Sequence, residues 1–147
     1  MTTAAIFVRA PVSPLPVGTT VRIASSETNG SFCVCEMSTN PGEGVSLHVH
    51  DRDEEFYYIL EGTYEIRAGD ECFAATAGAI VVIPPNVAHE FHNVGAVLAR
   101  ALMIFRPGGF DEMLFEIRRA AAAGLTGEAQ RSAIQSKWGV SFLQPKQ

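Results

Sequence analysis

The chain lacks any apolar run long enough to span a membrane, and its first residues, MTTAAIFVRAPVSPLP, lack the apolar core of a signal peptide. Positive charge is also scarce, because 11 Lys and Arg stand against 16 Asp and Glu and leave a formal net charge of −5. No run of basic residues offsets this balance. We therefore expect a cytoplasmic protein with no nucleic-acid partner and no membrane partner.

Cysteine is rare as well, and the odd number of three excludes complete disulfide pairing. Cys33 and Cys35 lie two positions apart in an alternating segment, so on a strand both side chains would point the same way without the geometry of a short-loop disulfide. Free thiols, with Cys72 unpaired, fit a reducing compartment. A soft-metal site at Cys33 and Cys35 remains open, although this C-x-C pair has no matching second pair.

What the chain does have is a series of short segments rich in β-branched and aromatic residues, separated by Gly, Asn and Pro. Many short strands at this spacing predict an all-β sandwich or jelly-roll barrel. The segments lie near residues 20–25, 31–39, 46–50, 54–60, 63–68, 71–75, 79–83, 88–94 and 97–105.

Helix-forming sequence follows the strands. Residues 110–123 predict one helix, with Asp111 and Glu112 near its N-terminus, as the helix dipole favours. Thr126 is a plausible N-cap of a second helix that runs to about Lys137, and WGVSFLQP predicts a short extended tail.

Size and composition predict a single packed domain, because 147 residues with 47% hydrophobic and 18% charged residues suffice for one core. We divide the chain into a Pro-rich N-terminal arm (1–18), a β-barrel (19–107) and a helical C-terminal extension packing on the barrel (108–147). The arm has at most one short strand, around Ile6 to Arg9. It either packs across a partner subunit or is a frayed terminus.

Four potential metal ligands lie on the predicted strands. His48 and His50 share one face of a strand, Glu55 begins the next strand, and His89 follows a later apolar run. Three imidazoles and one carboxylate form a mixed N/O site that suits one divalent transition metal ion, which could be Fe, Mn, Ni, Co, Cu or Zn.

The spacing of these residues resembles the two sequence motifs of the cupin superfamily. Asn86 departs from the second motif, where the family has glycine, but Asn tolerates the left-handed conformation that such a turn needs. The resemblance implies a cupin-type double-stranded β-helix with C-terminal helices, similar to small bacterial quercetin-dioxygenase-like cupins. The first motif is matched by Gly42, His48, His50, Glu55 and Gly62, and the second by Gly78, Pro84, His89 and Asn93.

Alternation along the strands suggests which side chains surround the ligands. Tyr57 and Ile59 share the face of Glu55, and Phe91 and Asn93 share that of His89, so we expect these four in a substrate pocket. By the same logic His92 points away. On the strand at 31–39, periodicity leaves open whether Phe32, Val34 and Glu36 or Cys33, Cys35 and Met37 face inward.

The charged loop Asp51–Arg52–Asp53–Glu54 is either a solvated turn or, alternatively, a lid or a contact to a ligand histidine. Glu54 is an alternative to Glu55 as the carboxylate ligand, but the distance to Gly62 favours Glu55. The family resemblance makes a dioxygenase acting on a small, aromatic or enediol-type, metal-chelating substrate our first hypothesis, with Glu55 as ligand or catalytic base. A non-oxidative isomerase, epimerase or lyase and a non-catalytic binding cupin are the alternatives, and the family implies a homodimer.

Overall fold

A computed structural model describes residues 7–144, and two antiparallel sheets of five strands each form its jelly-roll barrel. Sheet A has the order β1-β2-β9-β4-β7 and sheet B the order β10-β3-β8-β5-β6. The predicted all-β class with C-terminal helices is confirmed. The strands are β1 (Gly18–Ile23), β2 (Cys33–Thr39), β3 (Gly44–His50), β4 (Glu54–Glu61), β5 (Thr63–Ala68), β6 (Glu71–Thr76), β7 (Ile80–Ile83), β8 (His89–Asn93), β9 (Ala99–Arg106) and β10 (Val140–Phe142).

The two predicted helices are present as α1 (Phe110–Ala122) and α2 (Gly127–Trp138). Gly139 ends α2 in a left-handed conformation with φ 68°, which glycine adopts without steric cost. Neither helix is long and apolar enough to cross a membrane, and residues 7–144 contain no other candidate span.

The two terminal segments were predicted only in outline. The predicted extended tail contains strand β10, which pairs with β3, where Val140 lies opposite His50 and Phe142 opposite His48. At most one short strand was expected around Ile6 to Arg9; residues 7–9 form none, and Ile6 lies outside the described residues. Residues 7–9 are exposed.

The inward face of β2, which periodicity left open, consists of Cys33, Cys35 and Met37. Both cysteines are fully buried between the sheets, whereas Phe32 is 37% exposed. On the opposite face Glu36 forms ion pairs with Arg22 and Arg100. The opposite register would bury this carboxylate in the apolar core, which carries a large desolvation cost.

Hydrogen bonds hold the first turn of α1 against Ser25, which follows β1. The buried carboxylate of Asp111 accepts hydrogen bonds from the Ser25 backbone amide (2.9 Å) and the Ser25 hydroxyl. The Gly109 amide donates to the same hydroxyl oxygen (2.7 Å). These bonds place Phe110 flat against Phe105 of β9, with ring centroids 3.7 Å apart. Asp111 therefore anchors the helix in addition to complementing its dipole.

Candidate metal centre

The four predicted ligands meet between the two sheets. His48 and His50 end β3 and His89 begins β8, both in sheet B, while Glu55 lies at the start of β4 in sheet A. One ligand atom from each residue lies within 4.8 Å of the other three. All four side chains are buried, so the cluster is withdrawn from bulk water.

Each histidine is oriented by a hydrogen bond from its Nδ1. A donating Nδ1–H fixes the neutral tautomer in which Nε2 carries a lone pair, the form that binds a metal. The Nδ1 partners are the Ser46 carbonyl for His48 (2.8 Å), the Asp53 carboxylate for His50 (2.7 Å) and the Val87 carbonyl for His89 (2.9 Å).

The charged loop before β4 therefore contacts the cluster through Asp53. Glu54, the alternative carboxylate, points away and accepts a hydrogen bond from Arg106 (3.0 Å). The structure thus places Glu55, and not Glu54, among the histidines.

Two ligand atoms show that the arrangement fits a cation. Glu55 Oε2 and His89 Nε2 lie 2.6 Å apart, and neither has a hydrogen-bond partner. With His89 Nδ1 donating to Val87, both atoms present lone pairs to each other, which is unfavourable unless a proton on His89 Nε2 or a bound cation supplies positive charge there. A divalent metal ion is one such cation, and the N₃O donor set suits it.

The pKa shifts within the cluster follow from burial and from the charge of Glu55 among the three histidines. Burial lowers the pKa of His48 to about 4, with the neighbouring His89 and His50 acting in the same direction. Burial alone would also lower the pKa of His89, but contact with Glu55 outweighs it and raises the pKa. Burial would raise the pKa of Glu55, yet the three histidines lower it. Near neutral pH, therefore, Glu55 is ionised and His48 is neutral.

The turns at Asn86 and Gly62 have the positive φ angles for which glycine is normally required. Asn86 adopts φ 66°, and its backbone amide donates to the His50 carbonyl (2.8 Å), so asparagine fills the glycine position of the second motif. At Gly62 (φ 76°) a Cβ would lie 2.8 Å from Ala99, which only glycine avoids.

A cavity of about 70 Å³ lies against the cluster, with mostly apolar walls. Tyr57 and Phe91, two of the predicted pocket residues, line it. Burial, followed by the charge of Glu55, raises the pKa of Tyr57 far above its usual value, so its hydroxyl stays protonated. The other lining residues besides the ligands His48, His50 and Glu55 are Thr19, Met37, Val45, Met103, Phe105 and Phe110.

The remaining predicted pocket residues do not line this cavity. Ile59 is packed in the core and 1% exposed. The Asn93 amide instead donates to the carbonyls of Thr39 and Val97, both at 2.8 Å, and so holds the neighbouring loops together. His92 points outward, as expected, toward Glu90.

Sequence reasoning missed Phe110 and Thr19, because nothing local to either residue indicates that its segment closes onto the cavity. A second cavity of about 160 Å³ lies beside β1, β2 and β3. It shares Thr19, Met37, Val45 and Phe91 with the inner cavity, so the two cavities are neighbours.

The alternative metal site at Cys33 and Cys35 lacks a third ligand in the described part of the chain. Among residues 7–144, the group of three or more potential metal ligands consists of His48, His50, Glu55 and His89 and includes neither cysteine. Both cysteines are buried in the core as free thiols.

Comparisons with known proteins agree with this architecture. The family model for the cupin domain matches residues 35–105. The polyketide synthase CurC of Streptomyces cyaneus is 39% identical over 67 residues, which are 46% of this chain and 44% of CurC, so the chain spans less than half of that protein's length. An uncharacterized protein of Streptomyces coelicolor is 35% identical over 81 residues, covering 55% of this chain and 73% of that protein.

Among solved structures, a predicted oxalate decarboxylase from Thermotoga maritima aligns with a TM-score of 0.57 at 22% identity, over 60% of this chain and 78% of the other. At this level of identity the likeness shows a shared fold. The identity of 35% over 73% of the Streptomyces coelicolor protein places the chain in the family of that protein, and residues 35–105 match the model of the cupin domain.

Proposed function

We propose that this cupin is a metal-dependent enzyme, a dioxygenase, acting on a small substrate that chelates the metal. The observation that carries the proposal is the group of three histidines and Glu55 opening onto an apolar cavity. His48, His50, His89 and Glu55 would hold one divalent ion. That ion, when bound, would supply Lewis acidity and, for a redox-active metal, access to reaction with O₂.

The cavity limits the substrate. Typical ligand pockets measure roughly 300–1,000 Å³, whereas the space beside the ligands is about 70 Å³. It accommodates only a compact chelating group, such as an enediol or a small acid. A larger aromatic portion would have to extend into the second cavity, past Thr19 and Val45.

The side chains around the cavity have separable roles. Ionised Glu55 would accept the proton of a substrate hydroxyl, and the protonated Tyr57 would donate a hydrogen bond to the resulting oxyanion. Phe91, Phe105 and Phe110 surround this position with apolar surface, which excludes water and strengthens both interactions.

A non-oxidative reaction on a small carboxylic acid is the second candidate, and the small volume of the inner cavity favours it. The Thermotoga maritima relative is named a predicted oxalate decarboxylase, which is consistent with a compact acid as substrate. Here Glu55 or Tyr57 would move a proton, with no consumption of O₂.

The test is to purify the protein without added metal, measure its metal content, and reconstitute it anaerobically with each of the six candidate metals. Oxygen uptake is then followed with flavonols, enediols and small dicarboxylic acids, and product formation is also followed without oxygen. We expect uptake that disappears in Glu55→Gln and persists in the matched Glu54→Gln. Anaerobic turnover would favour the second candidate, and no turnover with any metal would contradict both.

A further inference from the structure

Phe110, the first residue of α1, lines two neighbouring cavities. One is the inner cavity of about 70 Å³ beside the metal ligands. The other measures about 90 Å³, and we call it the far cavity. Its walls include the apolar side chains of Met113 and Trp138 and the charged side chains of Arg52 and Asp53. Among residues 7–144, Phe110 is the residue that these two walls have in common.

The inner side of this shared wall is a stack of two aromatic rings. The ring of Phe110 lies almost parallel to that of Phe105, with the centroids 3.7 Å apart and an angle of 7° between the planes. The centroids of Phe105 and Phe110 lie 6.2 Å and 6.3 Å from that of the His50 imidazole. Rings in direct van der Waals contact leave no room for a ligand between them. Phe110 therefore closes the inner cavity on the side of α1.

The far cavity begins within one side chain of the metal centre. Asp53, in its wall, accepts the Nδ1–H hydrogen bond of His50 (2.7 Å), and His50 lines the inner cavity. Arg52 and Asp53 contribute one charge of each sign, so the far cavity favours neither an acidic nor a basic group. Its apolar walls at Met113 and Trp138 suit an aromatic group.

The backbone holds Phe110 in this position from both sides. Its neighbour Asp111 is buried and accepts hydrogen bonds from the amide and the hydroxyl of Ser25, while the amide of Gly109 donates to the same hydroxyl. Gly109 has φ 136°, a conformation that residues with a Cβ rarely adopt. At Gly108 a Cβ would lie 2.6 Å from the Ser25 hydroxyl oxygen and 2.8 Å from the Ser25 Cβ, so a side chain there would displace the anchor. The chain on either side of the ring is therefore fixed.

From these contacts we propose that Phe110 sets the upper size limit of a ligand at the metal centre. Its ring separates the inner cavity from the far cavity and thereby restricts the inner one to a compact chelating group. The inference rests on the proposed function only in that a chelating ligand binds a metal ion in the inner cavity, and it holds whether or not that ligand then reacts with O₂. A shorter side chain at position 110 joins the two cavities, and the aromatic part of a larger ligand then lies against Met113 and Trp138.

The test measures ligand binding without turnover. The protein is loaded with Co²⁺, whose absorption spectrum changes when a ligand binds, and is titrated without oxygen with acetohydroxamate and benzohydroxamate. These probes carry the same chelating group and differ in a methyl against a phenyl group. We expect the dissociation constant of benzohydroxamate, divided by that of acetohydroxamate, to fall at least about tenfold in Phe110→Ala, because the phenyl group becomes buried. Phe110→Leu should lower the ratio less. Phe115→Ala, on the same helix but half exposed and outside both walls, should leave the ratio unchanged.

A second readout locates the phenyl group. Trp138 is the single tryptophan of the chain, so the fluorescence of the Zn²⁺-loaded protein reports on the far cavity. Benzohydroxamate should change this emission in Phe110→Ala and leave it unchanged in the unaltered protein.

Three results would overturn the inference: an unchanged ratio in both Phe110 variants, a lowered ratio with no change in Trp138 emission, or a failure of both probes to bind the unaltered protein. Circular dichroism and bound cobalt serve as controls for folding and for the metal centre, and Phe110→Leu carries the test if Phe110→Ala does not fold. Absence of oxygen uptake, which would contradict the proposed dioxygenase, leaves these results unaffected.

Discussion

The two sheets of this barrel carry opposite outer surfaces. The outer side of β5 and β8 in sheet B presents Glu65, Arg67, Glu90 and His92, which form weak surface ion pairs. The outer side of sheet A presents two cross-strand rows of apolar side chains. Inside, sheet B contributes three of the four ligand atoms and sheet A one.

This contrast shows how period-two alternation separates tasks within one small domain. Each strand has one side for the interior and one for the exterior, so a sheet can change its outer chemistry without disturbing its inner chemistry. Sheet B combines a metal-binding interior with a solvated exterior. Sheet A combines a mostly apolar interior with an exterior on which Tyr58, Ile80 and Val82 are exposed.

The largest expected change in the free energy of unfolding comes from a comparison of the inner and outer sides of strand β9. Phe105→Ala removes a fully buried ring that stacks on Phe110, and we expect a loss of about 3–5 kcal/mol in the free energy of unfolding. Ile104→Ala, on the outer side, should cost less, because this side chain is only partly buried. Urea denaturation measures both losses. Equal losses in free energy would contradict the distinction between the inner and outer sides of β9.

Metal removal should destabilise the barrel next most strongly. At a free metal concentration of about 100 Kd, binding to the native state contributes about 2.7 kcal/mol, so chelation should lower the melting temperature of the protein. His89→Ala should already melt near the chelated value and respond little to the chelator. A variant that retained the full response would contradict the assignment of His89 as a ligand.

A smaller effect is expected from the residue that orients His50. Asp53→Asn keeps the shape of the side chain but loses the charge that accepts the Nδ1–H hydrogen bond. Metal affinity should fall about 10–100-fold, as measured by competition with a chromophoric chelator. Glu54→Gln, next to it in sequence but paired outward with Arg106, should leave the affinity unchanged.

The smallest effect belongs to the outer side of sheet B. Arg67→Ala should change the free energy of unfolding by less than about 0.5 kcal/mol, because its contacts with Glu65 and Glu90 are exposed. Urea denaturation measures the change, and a loss of more than about 1 kcal/mol would contradict the description of these contacts as weak surface ion pairs.

The sequence predicted the strands, the helices and the convergence of four ligands. The spacing within the motifs determines both where the turns lie and to which side of a strand each ligand side chain points. It could not decide the inward side of β2, because one alternating set has Phe32 and Val34 and the other has Cys33 and Met37, and both contain apolar residues. Strand β10 has only three residues and pairs with a strand some 90 positions earlier in the chain, so it leaves no clear local pattern. The positions of Phe110 and Thr19 in the cavity wall depend on how the barrel closes.

The division of the ligands between sheets also has a kinetic consequence. Glu55 belongs to one sheet and the three histidines to the other, so a bound ion would cross-link the two layers of the barrel. Separating the layers would then require breaking a coordination bond between buried side chains. We expect the slow release of the ion and the slow exchange of amide hydrogens in β4 to share one rate-limiting event, the transient opening of the sandwich.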